Sequence, residues 1–170
     1  MTLLEYGDFE CALCVAAFPV LKEVRRWLRG ELCYVFRHFP VVEKHPHALE
    51  AAEAAEAAGA QGKFWEMHDL LYERSPALAN VYLNCYAQQL GLDMERFGRE
   101  MREHIHSGKV KEDFTSGVVS GVRRAPAFFI NGVRYRGATD LDSLLAAIEE
   151  AGNQSGADGA SYYRNGLMKL

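Results

Sequence analysis

No stretch of about 18 apolar residues occurs in the chain, so no segment is long enough to cross a membrane as a helix. Positive charge is not in excess. Nineteen Lys and Arg stand against 23 Asp and Glu, a net charge of −4, which gives no electrostatic reason to expect a nucleic-acid partner. Cysteine is sparse: four in 170 residues, without the density of a disulfide scaffold. A chain of this length buries a core without such staples. The first residues do not form a signal peptide, because Glu5 and Asp8 interrupt the apolar stretch and a cysteine pair follows at once. As it stands the chain is expected in the cytoplasm, or in a periplasmic or other extracytoplasmic compartment if a leader preceded it.

What is present is ordinary globular composition, 49% apolar and 25% charged. Residues 3–6 read as a short strand, and residues 11–29 carry apolar side chains at three- and four-residue spacing, the pattern of a helix. Pro19 falls inside it and predicts a kink. Residues 32–39 are rich in aromatic and branched side chains and read as a second strand. Strand, helix, strand implies a parallel pair with a crossover helix. Residues 47–121 read as helical throughout, and the Glu50, Glu53 and Glu56 stripe in an alanine-rich segment reads as a solvated face. Strands return at 126–130 and 133–136, joined by Asn131-Gly132, a type I′ hairpin signal. A last helix is expected after Thr139 as its N-cap, ending at Gly152. The polar tail 153–170 is expected to be loose, with Tyr162, Tyr163 and Leu167 able to dock.

The expected organisation is thus an α/β fold of βαβ plus ββα, residues 1–45 and 122–152, with an all-helical insertion at 46–121. The segment DFECALC, residues 8–14, places Cys11 and Cys14 one helical turn apart beside the βαβ unit. That arrangement reads as a thioredoxin-like redox motif. At a helix start, unpaired N–H groups and the positive end of the dipole favour a thiolate. Cys11 is therefore expected to be the nucleophile, and Cys14 the thiol that resolves a mixed disulfide by attacking Cys11 sulfur. Glu10 adds a negative charge that opposes the thiolate, whereas Arg123 and Arg124 favour it if their loop lies nearby. Two other readings stand beside this one. A structural zinc site needs four ligands, and Cys11, Cys14, Cys33, His38, His45 and His47 lack finger spacing. A structural disulfide between Cys11 and Cys14 closes only a tiny loop and stabilises little. Cys33 and Cys85 are expected as buried free thiols.

Glu5 lies in the first strand, where a buried carboxylate must be paired, wet or functional. It is either placed beneath the pair, able to take the Cys14 proton, or an edge-strand surface acid. Pro126 opens the third strand.

Over residues 2–150 the chain resembles the DsbA-like branch of the thioredoxin superfamily. The resemblance rests on LLEYGDFECALC, AGAQGKFWEMHDLLYE and APAFFINGVRYRG, in that order. It implies a thioredoxin-like fold with helices roofing the active site, Cys11 attacking and Cys14 resolving. It further implies a cis Pro126 facing the cysteines, and substrate backbone pairing with Ala125. Glu5 matches the buried acid under the cysteines of related proteins. The chain departs from the family at Ala12-Leu13 between the cysteines, where no histidine can donate to Cys11, and at Arg124-Ala125 before the proline. The implied activity is thiol-disulfide exchange with protein or peptide substrates, without metal or organic cofactor, and with a redox recycling partner. A cytoplasmic reductase or redox sensor is the near alternative; a thioredoxin-fold binding module without turnover is the distant one.

Overall fold

The computed structural model describes residues 1–165, with side chains through Gln154. Four strands form one sheet in the order β2-β1-β3-β4. They are β1 (Thr2–Gly7), β2 (Cys33–His38), β3 (Ala127–Ile130) and β4 (Val133–Tyr135). β1 pairs with β2 in parallel, across the crossover helix α1 (Ala12–Trp27), and with β3 antiparallel. The hairpin between β3 and β4 turns on Asn131 (φ 48°) and Gly132 (φ 83°), the two positive φ angles that a type I′ turn demands. The Asn131 side-chain oxygen also accepts the Thr2 N–H at 2.9 Å, tying the turn back to β1.

Five helices stand between β2 and β3 in the chain: α2 (Ala48–Gly59), α3 (Phe64–Glu73), α4 (Asn80–Gln89), α5 (Met94–Arg102) and α6 (Ser107–Val119). They share a core with the sheet. One apolar cluster joins Tyr6, Phe9, Cys14, Phe36 and Phe129 to the alanines of α2 and to Met67, Leu71 and Phe97. A second cluster packs Leu3, Phe128 and Ile130 against Ala17, Leu21 and Val24 of α1 and against Leu144 and Ile148 of the last helix, α7 (Leu141–Asn165). The two-residue period of a strand sorts these side chains, so that Leu3 and Tyr6, and likewise Phe128 and Phe129, enter different clusters.

Several expectations are corrected. α1 continues through Pro19 without a break, which leaves the expected kink untested. Proline there is exposed and meets solvent rather than the sheet, so the packed face of the helix is kept. The glutamates of α2 do not form a solvated face, because α2 is the central helix of the insertion. Glu53 is buried and bonds to His104 Nδ1 at 2.9 Å, and Glu56 bonds to His38 Nε2 at 2.9 Å. α7 is capped not by Thr139 but by Asp140, whose carboxylate accepts the Ser143 N–H at 2.9 Å. It continues past Gly152 to Asn165, so the expected loose tail is helical as far as that residue. The expected docking of Tyr162, Tyr163 and Leu167 lies outside the described residues. Cys33 and Cys85 are exposed, not buried. Cys33 opens an edge strand and Cys85 sits on the outer face of α4.

Candidate active site

The turn after β1 is built by Asp8. Its buried carboxylate accepts the Glu10 N–H at 2.9 Å and the Val41 N–H at 2.8 Å, and meets His45 Nδ1 at 2.8 Å. The Asp8 carbonyl accepts the Cys11 N–H at 3.2 Å. The turn therefore delivers Cys11 to the N-cap of α1 in an extended conformation (φ −76°, ψ 117°). Its side chain forms no capping hydrogen bond. Asp8 carries no signal in a sequence beyond marking a break, which is why sequence reasoning passed over it as a structural residue of the site.

The Cys11 sulfur lies over the loop that leads into β3. In its thiol form Cys11 donates to the Ala125 carbonyl at 3.4 Å. The Ala125–Pro126 bond is cis, and so is Ser75–Pro76. Ala125 is buried and Pro126 half-buried. The Ala125 carbonyl, part of the backbone with which the resemblance pairs substrate, is thus engaged by Cys11. The Ala125 N–H has no backbone partner among the described residues.

The two thiols differ in exposure and in acidity. Cys11 retains 9% exposure and Cys14 none. The Cys11 pKa is lowered from 9.0 to about 6. The largest cause is a hydrogen bond from the Cys14 thiol; burial opposes it, and the Cys14 and Leu13 N–H groups at the helix start add to it. The charge that raises it is that of Asp8. Sequence reasoning assigned that role to Glu10, whose carboxylate instead accepts the His47 N–H at 2.7 Å and meets His47 Nδ1 at 2.9 Å. Burial pushes the Cys14 thiol far up, reinforced by its bond to Cys11 and by the charge of Glu5.

Glu5 is on the central pair of strands and 1% exposed, so it is no edge-strand surface acid. Burial raises its pKa from 4.5 to about 7, against a hydrogen bond from the Tyr34 hydroxyl and the charge of Arg25, which lower it. One carboxylate oxygen, Oε1, is buried with no protein partner. The Arg25 guanidinium lies over two neighbouring rings, 4.8 Å from the Tyr34 centroid and 4.7 Å from that of Trp65. Tyr34 and Arg25 thus support Glu5 from the α1–α3 side. Sequence spacing could not reveal them, since neither is near Glu5 in the chain.

The residues weighed as zinc ligands are not brought together, because His45 and His47 are turned to Asp8 and Glu10. His38, Glu56 and Asp113 do converge, with ligand atoms within 4.8 Å of one another. Lys109 and Arg37 already balance Asp113, and His38 bonds to Glu56. That cluster reads as a buried ion-pair junction between β2, α2 and α6. Among the described residues no helix is long and apolar enough to cross a membrane.

The comparisons with known proteins bear on the fold. Residues 1–150 match the thioredoxin family profile. The chain covers 86% of a thioredoxin-like oxidoreductase from Silicibacter pomeroyi DSS-3, with 89% of its own length, TM-score 0.79 and 23% identity. It covers 80% of the thiol-disulfide exchange protein alpha-DsbA2 from Wolbachia pipientis, with 88% of its own length, TM-score 0.76 and 20% identity. A curated relative is 42% identical over 151 residues: the Na(+)/H(+) antiporter NhaA 1 of Salinispora arenicola. The match takes in 89% of this chain but 23% of that protein, so the chain spans about a quarter of the curated relatives' length. A cysteine at the N-cap position of α1, a partner thiol one turn on and the matched profile lead to one assignment: the chain belongs to the thioredoxin family, with the fold it shares with these solved structures.

Proposed function

We propose that the chain is a dithiol–disulfide oxidoreductase acting on protein or peptide thiols and disulfides through Cys11 and Cys14. The observation that carries the reading is the asymmetry of the pair. The partly exposed Cys11 is acidified to about 6, while the fully buried Cys14 is pushed the other way. At pH 7 a thiol with that pKa is about nine-tenths thiolate, so Cys11 is armed to attack.

In the reducing direction the Cys11 thiolate attacks one sulfur of a substrate disulfide. A Cys11–substrate S–S bond forms, the substrate S–S bond breaks, and the second substrate sulfur leaves with the electron pair and takes up a proton. Cys14 then loses its proton to the Glu5 carboxylate, directly or through a water at the unpartnered Oε1, and attacks Cys11 sulfur. The Cys11–Cys14 disulfide forms and the substrate leaves as a dithiol. Two electrons pass to the substrate. Oxidation of a substrate dithiol is the same sequence reversed, and a redox partner of the chain restores the starting state. Ala125 and Pro126 bound the approach to Cys11 and position the substrate backbone.

The test is trapping. Cys14→Ser should accumulate mixed disulfides with an oxidised protein substrate such as insulin, and Cys11→Ser should not. Wild type should catalyse insulin reduction. Trapping by the Cys11→Ser variant, or no turnover by wild type, rejects the assignment and leaves a thioredoxin-fold binding module.

A further inference from the structure

A groove opens beside Cys11, between the start of α1 and the β3–β4 hairpin. Leu13 and Ala16 form one wall, and Pro126 belongs to the loop that touches Cys11. Arg124, Arg134 and Arg136 also line the groove, and no acidic side chain does. Among the described residues no carboxylate forms a salt bridge with any of the three. Arg134 alone has a fixed role, donating to the Gly121 carbonyl at 2.8 Å and lying 5.7 Å over the Phe129 ring. Arg124 and Arg136 are exposed. Elsewhere in the chain cations commonly meet acids, as Lys22 does with Glu73 and Asp69, and Arg96 with Glu100. The net charge of −4 makes a positive groove at the reactive sulfur a local departure from the whole. A guanidinium is a planar fork that matches a carboxylate. Concave sites of one sign also concentrate ligands of the other.

We infer that this groove selects peptide segments that carry Asp or Glu within a few residues of the reacting cysteine. The inference rests on the dithiol exchange proposed above and specifies its substrate class. A peptide whose sulfur reaches Cys11 must run past Ala125 and Pro126, because that loop is in contact with Cys11. The next side chains of such a peptide meet Arg124 on the same loop and Arg136 across the groove. An alanine before the proline contributes almost no side chain, so the arginines, rather than position 125, discriminate.

The test uses the reduced full chain and two single-cysteine peptides, identical except that Glu flanks the cysteine in one and Gln in the other. Each carries its sulfur as a mixed disulfide with 2-thiopyridine, a neutral leaving group. The Cys11 thiolate attacks the peptide sulfur, the S–S bond to the pyridyl sulfur breaks, and thiopyridone is released and read by absorbance. The rate lost in Cys11→Ser isolates this step from the exposed Cys33 and Cys85 thiols. The Glu peptide should react about tenfold faster at low salt, the scale of two exposed ion pairs. The ratio should fall toward one at molar salt. Joint Arg124→Gln and Arg136→Gln replacement should collapse the ratio, and Lys at both positions should restore most of it. A ratio near one at low salt, or one that survives the Gln replacements, overturns the groove inference while leaving dithiol exchange standing. A thiopyridone rate unchanged in Cys11→Ser with both peptides overturns the exchange reading and this inference with it.

Discussion

Replacing Glu5 by Gln tests the buried acid on two axes. A folded-state pKa raised from 4.5 to about 7 means that the folded chain binds more protons than the unfolded chain between those values. Stability from this group is therefore full below pH 4.5 and is lost as the pH rises toward 7 and beyond, the sign expected of an acid whose charged form is disfavoured by burial. The shift corresponds to about 3 kcal/mol. Glu5 is 1% exposed, so solvent screening removes little of it. Gln keeps the volume and can still accept from Tyr34, so Glu5→Gln should leave the reduced chain about as stable as wild type at pH 4.5. At pH 8 the variant should be more stable by about 2–3 kcal/mol, since an amide has no charge to bury. Denaturant unfolding of both proteins, reduced, from pH 4.5 to 8.5 measures the difference directly. The same variant should slow the second exchange step, so mixed disulfides persist longer, with the wild-type rate of that step rising through pH 7 and the variant's profile flat there. Parallel stability curves for the two proteins across this range would refute the raised carboxylate. Curves that diverge while the resolving step keeps its wild-type pH profile would leave Glu5 buried and protonated but idle in the exchange.

Removing the Tyr34 hydroxyl with Tyr34→Phe deletes a donor that lowers the Glu5 pKa, so the pH midpoint of the resolving step should move above 7; a downward or absent shift argues against their coupling. Cys14→Ala should raise the pH midpoint of Cys11 alkylation from about 6 toward 9, because the Cys14 thiol is the largest acidifying influence, and an unchanged midpoint would assign the acidity to the helix start alone. Gly7→Ala places a Cβ 2.4 Å from the Phe36 ring and 2.7 Å from the Tyr72 hydroxyl, so thermal unfolding should show a loss of about 1–3 kcal/mol from overpacking; wild-type stability would mean that both rings can shift freely.

The parts of this protein that the sequence determines by itself are those set by neighbours along the chain. The period of α1 and of the strands, the Asn131-Gly132 turn and the placing of Cys11 at a helix start follow from backbone sterics and local hydrogen bonding, and each is legible within a dozen residues. The closeness of the two thiols in the cysteine motif belongs to the same class, since one helical turn puts the two sulfurs side by side. Local pattern misassigned what depends on who lies across the fold. The Glu50, Glu53 and Glu56 stripe has the spacing of a wet face, yet Glu53 and Glu56 meet His104 and His38, supplied from 51 and 18 residues away. Cys33 lies in an apolar run, but β2 is an edge of the sheet and exposes it. Glu5 could be a surface acid or a buried one until β1 was placed between β2 and β3. Asp8 gained its role only from the arrival of Val41 and His45. Desolvation is the common cause: the free energy of a charge depends on what excludes water around it, and here the excluding groups come from α1, α3 and distant loops. The acidity of Cys11, the far-raised Cys14 and the gathering of the arginines at the groove were therefore decided only when the tertiary structure fixed which groups lie together.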